Sequence, residues 1–114
     1  MVSIIDYLCS TLANPTPNII LITPGTVNSS LWPTRSPTKV APYADSVRSI
    51  ASDKGLPLVD LWSGPDALTA DDLHDGLHLG PTGNAKLFRK LRWARFSSRA
   101  NYEITTLTLR CSSF

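Results

Sequence analysis

Two kinds of hydrophobic pattern alternate along the chain. Residues 2–13, 39–54 and 81–96 repeat apolar side chains at the three- and four-residue spacing of amphipathic helices. Between them, NIILIT at 18–23 and PLVDL at 57–61 are short apolar runs bounded by proline or glycine. Such runs are typical of strands that are buried on both faces of a sheet. The order helix, strand, helix, strand, helix therefore predicts an α/β fold with a parallel sheet.

The apolar positions of each predicted helix define the face that is expected to be buried. These positions are Ile4, Ile5, Leu8 and Leu12 in the first helix, Val40, Tyr43, Ala44, Val47, Ile50 and Ala51 in the second, and Leu87, Phe88, Leu91 and Ala94 or Arg95 in the third. Gly55 is the expected left-handed residue that ends the second helix. Two strands that are buried on both faces cannot complete a sheet, so further strands are expected to be missing.

Length and composition limit the chain to one soluble globular domain at most, with 114 residues, 42% hydrophobic content and 18% charge. The charge is uneven, because residues 1–80 carry four Lys and Arg against eight Asp and Glu, whereas residues 81–114 carry seven against Glu103 alone. A basic end of this kind can bind nucleic acid, here through the run from Lys86 to Arg99. A solvated helix face is the simpler interpretation, since no aromatic platform is interleaved in a pattern typical of base stacking, and no nucleic-acid partner is expected.

The chain shows no targeting or membrane-spanning pattern. Met1 is followed by Val-Ser-Ile-Ile-Asp, without the basic segment of a signal peptide, and no apolar run is long enough to span a bilayer. A cytoplasmic location is therefore expected. Cys9 and Cys111 have no metal-site or CxxC spacing; one disulfide is possible, but free thiols in a reducing compartment are expected.

The stretch HDGLHLGPTG, residues 74–83, contains both histidines of the chain. It follows the second predicted strand, and the carboxyl ends of parallel strands are where α/β folds place reactive side chains. Asp75 and His78 are three residues apart in one expected turn, so the carboxylate can accept from one ring nitrogen. The other nitrogen is then free to take a proton from a nucleophile. Gly76 permits a tight turn, and Pro81 is suited to the first position of the third helix.

Two other interpretations of this stretch stay open on spacing alone. Asp75 can cap a turn beside an ordinary surface histidine, because D-x-x-H is a short motif. Alternatively, His74, Asp75 and His78 can bind a metal, as histidines four residues apart do on a helix. The glycines and Pro81 argue against a helix here, and no further histidine or cysteine lies nearby in the sequence. No metal site is expected, and His74 is expected to be a loop residue.

Three segments in this order resemble SGNH/GDSL-type esterases, and most closely the isoamyl-acetate-hydrolysing branch of that family. They are PNIILITPGTVN, RSPTKVAPYADSVRSIASDKGLPLVDLWSG and DDLHDGLHLGPTGNAKLF, and together they cover roughly residues 2–92. DGLHLGPTGN is the most specific piece. The resemblance implies the C-terminal portion of a three-layer α/β/α (flavodoxin-like) SGNH hydrolase fold with parallel strands, incomplete in this chain.

The family hydrolyses carboxylic esters with a Ser-His-Asp triad, and its D-x-x-H motif supplies the acid and the base. The resemblance therefore assigns catalytic roles to Asp75 and His78, implies a small ester substrate, and implies no metal or organic cofactor. The sequence contains neither Gly-Asp-Ser nor a GxSxG nucleophile elbow. The Gly25 to Asn28 spacing mimics the family's oxyanion-hole motif, but it follows the wrong strand, and Ser29 stands where aspartate is expected. His74 is unusual for this branch.

From these features we expect residues 1–96 to form a partial SGNH hydrolase-type domain, the C-terminal half of such an esterase, and residues 97–114 to be a divergent tail. Without its nucleophile, the chain alone is predicted to be inactive. The alternative is a non-catalytic module that pairs with another chain, or with itself, through an exposed sheet edge. Trp62 is expected in the core or a pocket wall. Arg35 and Trp32 can line a pocket or lie on the surface.

Overall fold

The computed structural model describes residues 2–12 and 19–104, with the side chains of residues 3–12 and 19–95. Its regular elements are helix α1 (Val2–Thr11), strand β1 (Leu21–Ile22), helix α2 (Pro37–Lys54), strand β2 (Leu58–Val59), a 3-10 turn (Ala70–Asp72) and helix α3 (Pro81–Ile104). The predicted order of helices and strands is confirmed. Both strands are shorter than predicted, and Asn18, the predicted first residue of the first strand, lies outside the described residues.

The two strands pair in parallel, as predicted, with Leu21 opposite Leu58 and Ile22 opposite Val59. Two further backbone bonds flank this pairing: Leu21 N–H donates to the Pro57 carbonyl at 2.9 Å, and Thr23 N–H donates to the Val59 carbonyl at 3.0 Å. Residues of even and odd number in a strand face opposite sides of the sheet. The short sheet therefore has two distinct faces on which helices can pack.

Helices cover both faces of the sheet. On one face, α1 and α2 pack against the strands through a cluster of Ile5, Ile19, Leu21, Val47, Ala51 and Leu56. On the other face, α3 packs through Ala94, with Leu87 and Leu91, against Val59, Leu61 and Leu68. The described part of the chain is therefore a partial α/β fold in which a small parallel sheet lies between helices.

The expectation that the strands are buried on both faces is wrong for β1. Leu21 is only 8% exposed, but Ile22, on the opposite face, is 42% exposed. The helix on that face, α3, packs mainly against β2, where Val59 is 1% exposed. Because Ile22 lies on the strand farther from α3, much of its side chain stays exposed to solvent.

Helix α2 has conventional signals at both ends. The side-chain oxygen of Ser36 accepts from the backbone N–H of Lys39, and Pro37 occupies the first helical position, where its missing N–H costs nothing. Gly55 has φ +63°, and Leu56 N–H donates to the Ala51 carbonyl at 2.9 Å, as in a Schellman-type end. The expected left-handed role of Gly55 is confirmed.

The buried faces of the helices are narrower than the sequence pattern predicted. Four predicted inward residues are largely or partly exposed: Ile4 by 64%, Leu12 by 38%, Tyr43 by 70% and Phe88 by 60%. On each helix, a stripe of side chains three or four residues apart is enough to fill the contact with the neighbouring elements. Apolar residues beside that stripe remain at the surface.

Helix α3 is longer than predicted and reaches Ile104 rather than ending near Phe96. Glu103 and Ile104, which begin the β-prone tail sequence, are helical, and residues 105–110 of that tail lie outside the described residues. The division between residues 1–96 and 97–114 stays a prediction. Among the described residues, no helix has both the length and the apolar character needed to cross a bilayer.

Helix α1 is tied to the rest of the fold by more than apolar packing. Lys54, 8% exposed at the end of α2, forms an ion pair with Asp6 at 2.7 Å. Cys9 is disulfide-bonded, so the expectation of free thiols is wrong for this residue. The other cysteine, Cys111, lies outside the described residues.

Candidate active site

The stretch with both histidines forms a closed loop between β2 and α3. Leu73 and Leu79 pair as an antiparallel bridge, and His74 N–H donates to the His78 carbonyl at 2.9 Å. Gly80 N–H donates to the Asp72 carbonyl at 2.7 Å, which joins the base of the loop to the start of α3. Residues 74–78 are thus presented as a compact tip on a fixed base.

Asp75 organises the tip with one carboxylate oxygen. Its Oδ1 accepts from the backbone N–H groups of Leu77, at 2.9 Å, and His78, at 2.7 Å. This is an Asx-type turn, in which the side chain replaces a backbone acceptor. Gly76 has φ +83°, a conformation that glycine adopts without steric cost, as the tight-turn interpretation predicted.

The second carboxylate oxygen of Asp75 lies 2.6 Å from Nδ1 of His78. With a carboxylate at this distance, Nδ1 carries the proton and donates, and Nε2 is left as the basic nitrogen. The His78 side chain is 68% exposed and that of Asp75 is 33% exposed, so the pair lies at the surface of the described chain. Among the described residues, no hydrogen bond engages Nε2 of His78.

Hydrogen bonding keeps Asp75 ionised. The backbone N–H of His78 and then its side chain lower the pKa of the Asp75 carboxyl well below its ordinary value, and Leu77 N–H adds to this against partial desolvation. A carboxylate that accepts several such bonds is stabilised in its charged form. Asp75 is therefore the negatively charged partner of the imidazole throughout the physiological pH range.

His74 does not join the pair. Its Nε2 lies 3.7 Å from the same Oδ2 of Asp75, beyond hydrogen-bond distance, and its side chain is 66% exposed. It is a loop residue, as expected. Within residues 2–12 and 19–104, no group of three His, Cys, Asp or Glu side chains is arranged to hold a metal ion.

The loop that follows β1 packs against the tip and donates hydrogen bonds to it. Trp32 donates its indole N–H to the Asp75 carbonyl at 3.0 Å, and Asn28 N–H donates to the Gly76 carbonyl at 2.8 Å. A Cβ on Gly76 would lie 2.9 Å from Leu31 Cδ1, so the two loops are in close contact. The sequence offered no signal for these contacts, because they join residues more than forty positions apart.

Asp72 anchors the base of the loop and was not singled out from the sequence. It is 4% exposed, and its Oδ2 accepts from Lys86 Nζ at 2.7 Å and from Thr69 N–H at 2.8 Å. The Lys86 bond, followed by the Thr69 bond, lowers the pKa of Asp72 well below its ordinary value against the desolvation of the site. The T-x-x-D spacing of Thr69 and Asp72 is a capping-box pattern and is the signal that could have identified it.

A third carboxylate, Asp60, lies at the carboxyl ends of the strands. Thr23, 2% exposed, donates its hydroxyl to Asp60 at 3.1 Å and accepts from Leu61 N–H at 2.8 Å. Desolvation opposes ionisation of Asp60, but bonds from the Ser63 side chain and backbone, with others, lower its pKa to about 2. Its bonds are used to join the two strand ends, so Asp60 is part of the support of the site.

An apolar pocket of about 500 Å³ opens beside the tip. Leu77, the neighbour of His78, is one of its lining residues, and the exposed Arg35 is another. Arg35 is therefore a pocket residue, one of the two possibilities left open, whereas Trp32 contacts Asp75 instead. The bonds of Asn28 serve the loops themselves: its N–H donates to the Gly76 carbonyl across the two loops, and its Oδ1 accepts from Ser30 N–H at 3.0 Å within its own loop.

Two curated proteins are similar to this chain. The isoamyl acetate-hydrolyzing esterase 1 homolog of Homo sapiens is 33% identical over 105 residues, covering 78% of this chain and 40% of the human protein. The homolog of the same name in Mus musculus is 33% identical over 90 residues, covering 68% of this chain and 36% of the mouse protein. No family model matches the chain, and no solved structure matches it.

The chain thus spans about two fifths of the length of the curated relatives. The match is to the branch that the three sequence segments indicated, and it fits a C-terminal portion of such a protein. The similarity confirms the resemblance of this chain to the isoamyl-acetate-hydrolysing esterases.

Proposed function

We propose that this chain carries the histidine and aspartate of a Ser-His-Asp ester hydrolase site of the SGNH type, with His78 as general base and then general acid and Asp75 as its orienting carboxylate. The observation that carries the proposal is the 2.6 Å separation of His78 Nδ1 from Asp75 Oδ2. The similarity to proteins named as esterases supports the reaction class.

The chemistry of the pair follows from its geometry. With Nδ1–H held by Asp75, the lone pair of Nε2 can remove the proton from a serine hydroxyl as that oxygen attacks an ester carbonyl. The imidazolium that forms is stabilised by the Asp75 carboxylate, and it then returns the proton to the leaving alkoxide. A water molecule, activated by the same nitrogen, releases the acid from the acyl-enzyme.

The nucleophile is the part that the chain lacks. The sequence contains neither Gly-Asp-Ser nor GxSxG. Loss of one triad member costs several orders of magnitude in rate, and loss of an oxyanion donor costs roughly 10²–10³-fold more. We therefore propose that residues 1–114 alone have no meaningful esterase activity and contribute the acid–base half of a site that another polypeptide segment completes.

The test is an assay of the purified chain with short-chain p-nitrophenyl esters, with His78→Ala as the matched variant. The expected result is a rate equal to that of His78→Ala, close to the rate in buffer. Adding a polypeptide with the serine-bearing strands of a related esterase is then expected to give activity that His78→Ala abolishes. Turnover at an ordinary enzymatic rate by the chain alone, lost in His78→Ala, contradicts the inactivity. Reconstituted activity that survives His78→Ala contradicts the assigned base.

A second candidate function is association through the outer edge of β1. The N–H groups of Leu21 and Thr23 bond to the carbonyls of Pro57 and Val59, at and just before β2, and alternate residues of a parallel strand bond to the same neighbour. The N–H and carbonyl of Ile22 therefore face the other edge, and no strand within the described residues lies against it. Because such an edge pairs readily with another chain, self-association of the protein is the second proposal.

Sedimentation velocity over a range of concentrations tests this second proposal. Ile22→Pro removes the edge N–H without touching the bonds to β2, so it is expected to shift the protein towards monomer while circular dichroism stays unchanged. Ile22→Val is the control and is expected to associate like the parent. A monomer at every concentration, or association that Ile22→Pro leaves intact, contradicts the edge interface.

A further inference from the structure

The pocket beside the active-site loop has a strongly divided lining. Five leucine side chains form much of its apolar lining, together with Val27 and Val40: Leu61, Leu68, Leu73, Leu77 and Leu79. Two of them, Leu61 and Leu68, are only 6% exposed and belong to the core. Two exposed cationic residues, Arg35 and Lys39, also line the pocket, and we refer to them as its rim. A volume of about 500 Å³ is within the usual range for small-molecule sites.

The two rim cations differ from most other basic residues of the described chain. Four of those others pair with carboxylates: Arg48 with Asp45 and Asp60, Lys54 with Asp6, Lys86 with Asp72, and Arg89 with Asp66. Arg35 instead stacks on the Trp32 ring at 5.5 Å, and Lys39 Nζ donates to the Thr34 carbonyl at 3.2 Å. Neither has a carboxylate partner within the described residues, so their positive charge is not neutralised at the pocket mouth.

The backbone adds to this charge. Helix α2, with 18 residues, begins at Pro37 between the two cations, and Ser36 also lines the pocket. The amino end of a helix carries a partial positive charge and favours anions. The mouth of the pocket is thus positive from side chains and backbone, while leucine and valine side chains supply much of the remaining lining.

We propose that this pocket binds the anion of a medium-chain aliphatic carboxylic acid, with the carboxylate between Arg35 and Lys39 and the alkyl chain against the leucine walls. The site uses neither Asp75 nor His78, and its occupancy does not depend on ester hydrolysis. Burial of the chain contributes roughly a fourfold gain in affinity per methylene group. Two exposed cations contribute a further factor of about three to ten together.

Isothermal titration of the full chain with octanoate tests the site, with 1-octanol and acetate as comparators. Octanol keeps the chain without the charge, and acetate keeps the charge without the chain. The expected order of affinity is octanoate, then octanol, then acetate, with octanoate binding weakened by added salt. Octanol binding as tightly as octanoate, or no octanoate binding at all, overturns the proposal.

Variants locate the ligand. Arg35→Gln with Lys39→Gln is expected to weaken octanoate about three- to tenfold and to leave octanol unchanged. The matched control is Arg89→Gln with Lys90→Gln, which removes the same charge from α3 and is expected to leave octanoate binding unchanged. If both double variants weaken octanoate binding equally, the effect is one of overall charge. If the Arg35 and Lys39 variant does not weaken it, octanoate binds elsewhere. Either result overturns the assignment. Melting curves of all variants show that they are folded.

Discussion

Nδ1 of His78 lies 2.6 Å from Oδ2 of Asp75, while Oδ1 of the same aspartate accepts from the backbone N–H of His78 at 2.7 Å. One carboxylate therefore fixes both the backbone and the ring of its partner. The Asp75 side chain cannot reorient without breaking the turn, so its Oδ2 is held opposite the imidazole and favours one orientation of the ring.

The first prediction concerns the tautomer of His78. In Asp75→Asn, the amide oxygen can keep the two backbone bonds of the turn, but the amide N–H₂ then faces Nδ1. The neutral ring is expected to change from the Nδ1–H to the Nε2–H form, which removes the basic nitrogen from the outer position. Two-bond ¹H–¹⁵N correlation spectra of the imidazole distinguish the two forms. Asp71→Asn is the control, and Nδ1–H persisting in Asp75→Asn refutes the assigned pairing.

The second prediction concerns the bond from Trp32 to the tip. Trp32→Phe keeps an aromatic ring but removes the indole N–H that donates to the Asp75 carbonyl at 3.0 Å. The expected cost is about 1 kcal/mol of unfolding free energy, with faster amide exchange at His78. Trp93→Phe changes a residue on α3 that is 71% exposed and serves as control. Equal exchange rates at His78 in the two variants exclude a positioning role for Trp32.

The third prediction compares two glycines with left-handed backbones. Gly76 has φ +83° and would place a Cβ 2.9 Å from Leu31 Cδ1, whereas Gly64 has φ +92° with nothing within 4 Å of its Cβ. Gly64→Ala is expected to lower the free energy of unfolding by about 1 kcal/mol, because only the left-handed backbone is unfavourable for alanine there. Gly76→Ala adds a steric cost, for about 2–3 kcal/mol in total. Urea unfolding measures both, and equal costs show that the contact between the two loops is not tight.

The fourth prediction concerns acid stability. The pKa of Asp72 is lowered in the folded chain, so its contribution is complete above the unfolded pKa, about 4, and is lost as pH falls towards the folded pKa. Asp72→Asn removes this contribution, leaves Lys86 without its carboxylate, and is expected to cost about 2–3 kcal/mol at pH 7. The difference between variant and parent is expected to shrink as pH falls below about 4.

Asp66→Asn is the matched control for this prediction, because Asp66 pairs with Arg89 at 3.1 Å with side chains 39% and 61% exposed. An exposed pair of this kind is worth at most about 1 kcal/mol. Thermal melts from pH 7 to pH 2 compare the two variants. A pH-independent difference between Asp72→Asn and the parent is the outcome that rules out a role for the ionised carboxylate.

The sequence by itself determined the features that depend on neighbours along the chain. The order of helices and strands, the Gly55 ending of α2 and the tight turn at Gly76 follow from local backbone preferences, and the motifs of residues 74–83 identified the related esterases. Contact between Asp75 and His78 was also accessible, because the residues that form it are three positions apart and one turn holds them.

Tertiary structure alone decided what depends on distant residues. Tyr43 and Phe88 satisfy the helical pattern but lie outside, because the faces that fill the contacts are set by the packing of α2 and α3 on a two-stranded sheet. The bonds from Trp32 to Asp75 and from Lys86 to Asp72 join separate elements. A pattern of residue types carries no information about which distant donor meets which acceptor, since that pairing is fixed only when the chain has packed.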